Sequence, residues 1–87
     1  KGPADDLEQR FATWLGAVRG RSPHTVRSYA KDLRGFAEFA AGRGSDLIHA
    51  GRGDVRAWVE TQAAAYAPST VMRRLAAVRT FYRWLGR

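Results

Sequence analysis

Large apolar residues recur three or four positions apart along most of this chain, which limits its fold to packed α-helices. The clearest stretch is residues 68–85, whose stripe is Val71, Leu75, Val78, Tyr82 and Leu85. This spacing places the residues along one face of a helix. No stretch alternates apolar and polar residues between turn residues, so the sequence predicts no β-sheet.

Similar spacing occurs in three further segments, and four helices are predicted over residues 4–18, 23–41, 52–66 and 68–85. Pro23 and Pro68 suit the first position of their helices, and Gly42 and Gly86 are expected to end them. Asp54 is either the N-cap of the third helix or an acid in its first turn. Four amphipathic helices with short connections predict a compact all-α domain.

Several large residues near the helix ends and stripe edges are less clearly placed. The stripe of the first helix is expected to extend to Val18. Phe81 and Trp84 lie beside the stripe of the fourth helix, so they either complete the edge of the core or form a surface that packs on another domain or protomer. Trp14 in the first helix leaves the same two alternatives.

The charge of the chain is positive and unevenly distributed. With 87 residues and no cysteine, the chain is expected to form one domain over residues 1–87, without disulfides. Its net charge is +7, of which residues 19–34 carry +4 and residues 67–87 carry +5, the remainder being slightly acidic. The expected partner is a polyanion, nucleic acid before an anionic membrane surface. The alternative is a solvated arginine-rich surface without a partner.

Two helix starts nearly repeat each other, and they open the two basic segments. Residues 22–27 are Ser-Pro-His-Thr-Val-Arg, and residues 67–73 are Ala-Pro-Ser-Thr-Val-Met-Arg. Ser22 is expected to cap its helix. A helix N-terminus offers unpaired N–H groups to phosphate, and an arginine one turn further can reach base edges. Set side by side, the two helices would fit the major groove of DNA and its flanking phosphates.

The segments SPHTVRSYAKDLRGF (residues 22–36) and RRLAAVRTFYRWL (residues 73–85) resemble the N-terminal core-binding, or SAM-like, domain of tyrosine recombinases, particularly those of the Xer type. The resemblance covers about residues 6–85. It implies a four-helix domain that grips a double-stranded recombination half-site. It also implies a separate C-terminal catalytic domain in the same chain and further recombinase protomers as partners. The chain is therefore expected to be a non-catalytic fragment without a cofactor, from a cytoplasmic, nucleoid-associated protein.

The resemblance implies DNA contacts by nine residues of the second and fourth helices. The residues matched to contacts with the DNA backbone are His24, Thr25, Ser69, Thr70 and Arg74. The residues matched to groove-facing positions are Arg27, Ser28 and Lys31, and Arg73 matches a base-contacting position. The sequence departs from the family where Ala67 replaces a frequent serine and where Ala50-Gly51 replaces a Thr-Pro pair. Both departures are expected to weaken a helix cap by about 1 kcal/mol.

The sequence contains no arrangement that predicts catalysis or metal binding. Tyr29 and Tyr82 lie on buried stripes, and Tyr66 has no cationic neighbour in sequence to activate it. His24 and His49 lie on different elements without cysteines or paired carboxylates, so no metal site is expected. One alternative function is a helical protein-interaction module whose basic faces dock an acidic partner. A peripheral membrane binder is a further alternative, disfavoured because the helices lack the layout of interfacial anchors.

Overall fold

The computed structural model describes residues 3–86, with side chains from residue 6 onward. Its helices are α1 (Pro3–Ala17), α2 (Pro23–Gly42), α3 (Arg52–Ala65) and α4 (Pro68–Leu85), and the described residues form no strand. The prediction of an all-α, four-helix domain is confirmed, and each observed helix bound lies within one residue of the expected one. Within the same range, no helix is long and apolar enough to span a bilayer.

One hydrophobic core joins all four helices and the connector between α2 and α3. The completely or almost completely buried large side chains are Phe11, Leu15, Leu33, Phe36, Leu47, Trp58, Val78 and Phe81. α2 packs against each of the other three helices, and α4 also packs against α3. The Tyr82 hydroxyl donates a 2.7 Å hydrogen bond to the Leu47 carbonyl, which holds the connector against α4.

The core-facing side of α4 differs from the prediction. Phe81, expected beside the stripe, is completely buried and meets Phe11 of α1 edge to face, with ring centroids 5.4 Å apart. Leu75 and Tyr82, expected at the centre of the stripe, are only half buried. Since α4 is apolar over a wide arc, the aromatic residues of α1 decide which part of that arc enters the core.

Trp14 and Trp84 lie together at the edge of this core. Their ring centroids are 6.4 Å apart, and both residues are half buried against the core. This placement agrees with the core-edge alternative for both tryptophans. The expectation for Val18 was wrong, because α1 ends at Ala17 and leaves Val18 70% exposed.

The α2 and α4 helices begin with the same backbone conformation but with different caps. The Ser22 hydroxyl oxygen accepts a 3.1 Å hydrogen bond from the Thr25 N–H, so Ser22 caps α2 as expected. Ala67 stands at the equivalent position of α4 and offers no side-chain cap. The expected weaker start of α4 follows from this substitution, since its first N–H groups lack a side-chain acceptor.

The start of α3 uses an acid instead of a capping hydroxyl. Gly51 is the N-cap residue, and its N–H donates a 3.0 Å hydrogen bond back to the Asp54 carboxylate. Asp54 is therefore the first-turn acid of the two sequence alternatives. It also accepts a 2.8 Å bond from Arg43 Nε. The Gly51 N–H, followed by Arg43, holds the pKa of Asp54 below its ordinary value.

The glycine that ends the helix was predicted correctly for α4 but not for α2. Gly86 ends α4 in the left-handed conformation, with φ of +97°, as expected. The expectation for Gly42 was wrong, because Gly42 is the last helical residue of α2 and Arg43 is the C-cap. Gly44 adopts the left-handed conformation instead, with φ of +78°, and donates its N–H to the Ala41 carbonyl. Glycine suits this position because other residues are strained there.

Candidate nucleic-acid interface

The two helices that begin with proline lie next to each other. α2 and α4 form the most extensive helix pairing of the described structure. The sequence required this adjacency if both helices were to face one partner, and the fold supplies it. The nine residues expected to contact DNA lie on these two neighbouring helices, and we call this set of residues the α2–α4 face.

On α2, the expected residues divide into a helix start and an outward line. His24 is exposed, while Thr25 is half buried and accepts a 3.1 Å hydrogen bond from the Ser22 hydroxyl at its own hydroxyl oxygen. Arg27 and Lys31 are exposed, and Ser28 between them is half buried. Among residues 6–86, neither of these two cations forms an ion pair within 4 Å, which leaves both available to an external anion.

On α4, the expected residues follow the same order with different environments. Ser69 is exposed and Thr70 is half buried in the first turn, where the N–H groups lack a side-chain cap. The side chain of Arg73 is 45% exposed and that of Arg74 is 23% exposed. Both arginines turn part of their charge toward α2, in contrast to the freely exposed Arg27.

The residue that draws both arginines toward α2 is Asp32. Its side chain is only 4% exposed, and Arg73 Nη1 donates a hydrogen bond to its Oδ2. Arg74 Nε lies 3.9 Å from the other oxygen, Oδ1. Burial raises the pKa of Asp32 above its ordinary value, and the charges of the two arginines oppose the rise without cancelling it. A buried carboxylate needs such partners because desolvation of an isolated charge is costly.

Arg74 is held by three side chains, one from α2 and two from α3 and its C-cap. Besides its approach to Asp32, its Nη1 donates a 2.5 Å hydrogen bond to Gln62 Oε1 of α3. Its guanidinium carbon lies 4.1 Å from the ring centroid of Tyr66, the residue that ends α3. Its Nε is buried and has no hydrogen-bond partner among the described residues. Arg74 therefore ties α2, α3 and α4 together at one end of the α2–α4 face.

Asp32, Gln62 and Tyr66 were not predicted from the sequence as parts of this site. For Asp32 a signal was present, because it lies three residues after Tyr29 and four before Phe36, on the buried stripe of α2. An acid on a buried stripe implies a cationic partner on a packed helix. Nothing in the sequence near Gln62 or Tyr66 indicates a contact with Arg74, because these contacts depend on how α3 packs against α4.

Two other cations are already paired with acids elsewhere in the fold. Arg34 lies 3.2 Å from Glu8 of α1, and Arg43 lies 2.8 Å from Asp54. These pairs consolidate α1–α2 and α2–α3 contacts, respectively. Within residues 6–86, no group of three or more His, Cys, Asp or Glu side chains is arranged to hold a metal ion.

A second basic feature is a hollow of about 910 Å³ between α3 and α4. Its apolar lining includes Val55, Val59, Leu75, Val78 and Tyr82. Its arginines are Arg52, Arg56, Arg79 and Arg83, and Glu60 is the acid that lines it. This α3–α4 hollow combines the half-buried side of α4 with excess positive charge. Its apolar lining distinguishes it from the polar α2–α4 face.

Comparison with known proteins finds one matching domain family and relatives that are named tyrosine recombinases. The phage integrase N-terminal SAM-like domain family matches residues 9–87. A protein named tyrosine recombinase XerD, from Brucella abortus (strain 9-941), is 38% identical over 78 residues, covering 88% of this chain and 25% of that protein. A tyrosine recombinase XerC from Rhodospirillum centenum is 42% identical over 91 residues, covering 97% of this chain and 27% of that protein.

A further relative, tyrosine recombinase XerC from Mycobacterium sp. (strain KMS), is 44% identical over 80 residues, covering 88% of this chain and 27% of that protein. The chain thus spans about a quarter of the length of the curated relatives that it matches. No solved structure matches the chain.

Proposed function

Because the chain belongs to the phage integrase N-terminal SAM-like domain family, we propose that it binds double-stranded DNA through the α2–α4 face. The observation that carries the proposal is the adjacency of α2 and α4, the two helices that open the basic segments. Exposed cations of one helix and uncapped N–H groups of the other then lie on one surface. Such a surface offers a duplex both phosphate contacts and donors for base edges.

The nine residues of the face divide by what their side chains can reach. We propose that the helix starts contact the DNA backbone, through His24, Thr25, Ser69 and Thr70. Arg27, Ser28 and Lys31 then face the groove and its near phosphates, and Arg73 contacts base edges. Arg74 offers phosphate only the exposed part of its guanidinium, since most of that side chain is held by the fold.

The relatives also suggest the setting in which this DNA binding takes place. They are named tyrosine recombinases, and the chain spans about a quarter of their length. We propose that the protein containing this chain breaks and rejoins DNA at a recombination half-site. In this proposal the chain holds the half-site without catalysing, and a separate catalytic domain and other protomers are its partners. The protein then acts on DNA of the nucleoid, without a cofactor in this domain.

A salt titration of duplex binding tests the proposal. The affinity of the chain for a duplex should fall linearly with salt on a log–log plot, with a slope of about −0.9 per phosphate neutralised. Arg27→Ala should reduce the magnitude of that slope by about 1, because one phosphate contact is lost. Arg10→Ala is the matched control: it removes the same charge from an exposed position on α1, away from the α2–α4 face.

The two variants together decide whether the face is correctly placed. Equal slopes for Arg27→Ala and Arg10→Ala would show that duplex attraction comes from overall charge and not from the α2–α4 face. Absence of duplex binding by the unmodified chain at low salt would contradict the proposed function as a whole. A nuclear magnetic resonance titration with the same duplex should shift amides of α2 and α4 before those of α1.

The α3–α4 hollow favours a second candidate function, the docking of a protein helix. Its apolar floor suits the apolar side of an amphipathic helix, and its four arginines suit acidic residues flanking that side. A polyanion such as DNA would leave the apolar floor unused. An amphipathic peptide with glutamates beside its apolar stripe should then bind the chain, and Arg79→Glu should abolish this binding while leaving duplex affinity within about threefold.

A further inference from the structure

We infer that Asp32 is a specificity-determining residue, which holds the Arg73 side chain in position to contact bases. The inference rests on the proposed function, since it requires that Arg73 faces DNA. Asp32 itself is excluded from contact with DNA, because only 4% of its side chain is exposed. Any effect of Asp32 on DNA recognition therefore acts through the arginines that it holds, which makes it a positioning residue.

Arg73 keeps donors for DNA while Asp32 holds it. Its Nη1 donates to Asp32 Oδ2, and 45% of its side chain stays exposed. A guanidinium carries five N–H donors in a planar fork, so one bond to a buried carboxylate leaves enough donors for a bidentate contact with guanine. A side chain fixed in this way also loses less conformational freedom when it binds.

The carboxylate that holds Arg73 is itself held. Arg74 Nε lies 3.9 Å from Asp32 Oδ1, on the opposite oxygen from the Arg73 bond. Arg74 is anchored in turn by its hydrogen bond to Gln62 on α3. The position of Arg73 is thus set by a series of contacts that extends from α3 through α4 to α2. A series anchored at both ends resists the rotamer changes that an isolated surface arginine makes freely.

Asp32 affects non-specific and specific binding in opposite directions. Its negative charge lies beneath the α2–α4 face and reduces the attraction of that face for phosphates of any sequence. Its hold on Arg73 prevents that arginine from turning toward whichever phosphate is nearest. Without Asp32, the arginine becomes a mobile cation that binds all duplexes better and distinguishes them less.

The experiment compares two duplexes with five forms of the chain. The unmodified chain first selects its preferred duplex from a random-sequence library, and a scrambled version of that duplex serves as the reference. The measured quantity is the specificity ratio, which is the dissociation constant for the scrambled duplex divided by that for the preferred duplex. Asp32→Asn preserves the shape of the side chain, and it should lower this ratio by about tenfold while tightening binding to the scrambled duplex.

Glu38→Gln is the matched control. Glu38 is an exposed acid on the same helix, so its replacement changes the net charge as Asp32→Asn does but leaves Arg73 in place. It should tighten binding to both duplexes equally and leave the ratio unchanged. An unchanged ratio for Asp32→Asn, or an equal loss of affinity for both duplexes, would overturn the inference. Failure of the unmodified chain to bind any duplex would instead contradict the proposed function.

A second variant keeps the test decisive if Asp32→Asn does not fold, as judged by circular dichroism. Arg73→Lys retains the charge but removes the planar fork, so it should lower the ratio by about tenfold as well. An Arg73→Lys ratio equal to that of the unmodified chain would overturn the inference on its own. Where both variants fold, the double variant should show no further fall, because each change removes the same held fork.

Discussion

The starts of α2 and α4 share one backbone conformation but differ in capping and in the contacts of the cations that follow. Ser22 and Ala67 have nearly equal backbone angles, with φ of −63° and −64° and ψ of 154° and 151°, and each precedes a proline. At α2 the Ser22 hydroxyl caps the helix, and the next two cations, Arg27 and Lys31, form no ion pair among residues 6–86. At α4 the helix start is uncapped, and the following arginines are drawn into contacts with the fold.

The two helix starts differ in how much stability is lost when one of their cations is removed. Arg27 is exposed and forms no ion pair with residues 6–86. Arg74 is mostly buried and satisfies groups on α2 and α3. An exposed cation can be replaced with an effect on ligand binding alone, whereas a mostly buried cation is also required for stability.

The largest effect is expected for Arg74→Ala compared with Arg27→Ala. Arg74→Ala should lower the free energy of unfolding by about 2 kcal/mol, because it removes a partner of the buried Asp32 and leaves Gln62 Oε1 without its donor. Arg27→Ala should change it by less than about 0.5 kcal/mol. Urea unfolding followed by far-ultraviolet circular dichroism measures both, and equal losses would remove the distinction between the two helices.

A smaller effect is expected from exchanging the caps. Ala67→Ser should raise the free energy of unfolding by about 1 kcal/mol, since the new hydroxyl can accept from an early N–H of α4. Ser22→Ala should lower it by about the same amount, because the Thr25 N–H loses its acceptor. The double variant should then resemble the unmodified chain in thermal denaturation. A neutral Ala67→Ser would mean that backbone angles alone do not make the two starts equivalent.

The smallest effects concern how stability changes at acidic pH, where Asp54 and Asp32 are expected to contribute with opposite signs. The Gly51 N–H and Arg43 lower the pKa of Asp54, so its contribution to stability is present above the ordinary value and is lost as the pH falls through the lowered one. Asp54→Asn should therefore flatten the loss of stability in acid. Unfolding midpoints in urea, measured from neutral pH to below pH 3.8, test this expectation.

Asp32 gives the opposite expectation over the adjacent range. Because burial raises its pKa, the folded state holds the proton more tightly than the unfolded state, and stability falls as the pH rises from 3.8 through the raised value. Asp32→Asn should remove this fall. A pair of variants that shift the acid profile in the same direction would contradict the contrast between the two carboxylates.

The four helices and the starts of α2 and α4 could be predicted because their signals are local. Pro23 and Pro68 begin helices, Ser22 caps one of them, and Gly86 ends another, each through contacts within a few residues. The end of α2 was assigned to the wrong glycine because two nearby glycines, Gly42 and Gly44, can each end the helix. The choice of Gly44 depends on which carbonyls accept its N–H and the N–H of Ser45.

The core side of α4 and the contacts of Asp32 depend instead on packing between distant segments. Phe81 is buried because α1 presents Phe11 to it, and neither residue reveals this alone. Asp32 and Arg73 are 41 positions apart in the chain, so their pairing follows from the packing of α2 against α4. The sequence indicated that Arg73 belongs to an outward cationic line, but not that its guanidinium donates a hydrogen bond to a buried acid.

The three tryptophans occupy two separate parts of the core, which provides the protein with built-in optical probes. Trp58 of α3 meets Phe36 of α2 with ring centroids 5.4 Å apart, while Trp14 and Trp84 form a close pair between α1 and α4. Emission from Trp58 therefore reports the α2–α3 contact, and exciton coupling between the paired indoles reports the docking of α1. Detachment of α1 should therefore weaken the exciton signal of the pair, whereas loosening of α3 should change the contribution of Trp58 to the total fluorescence.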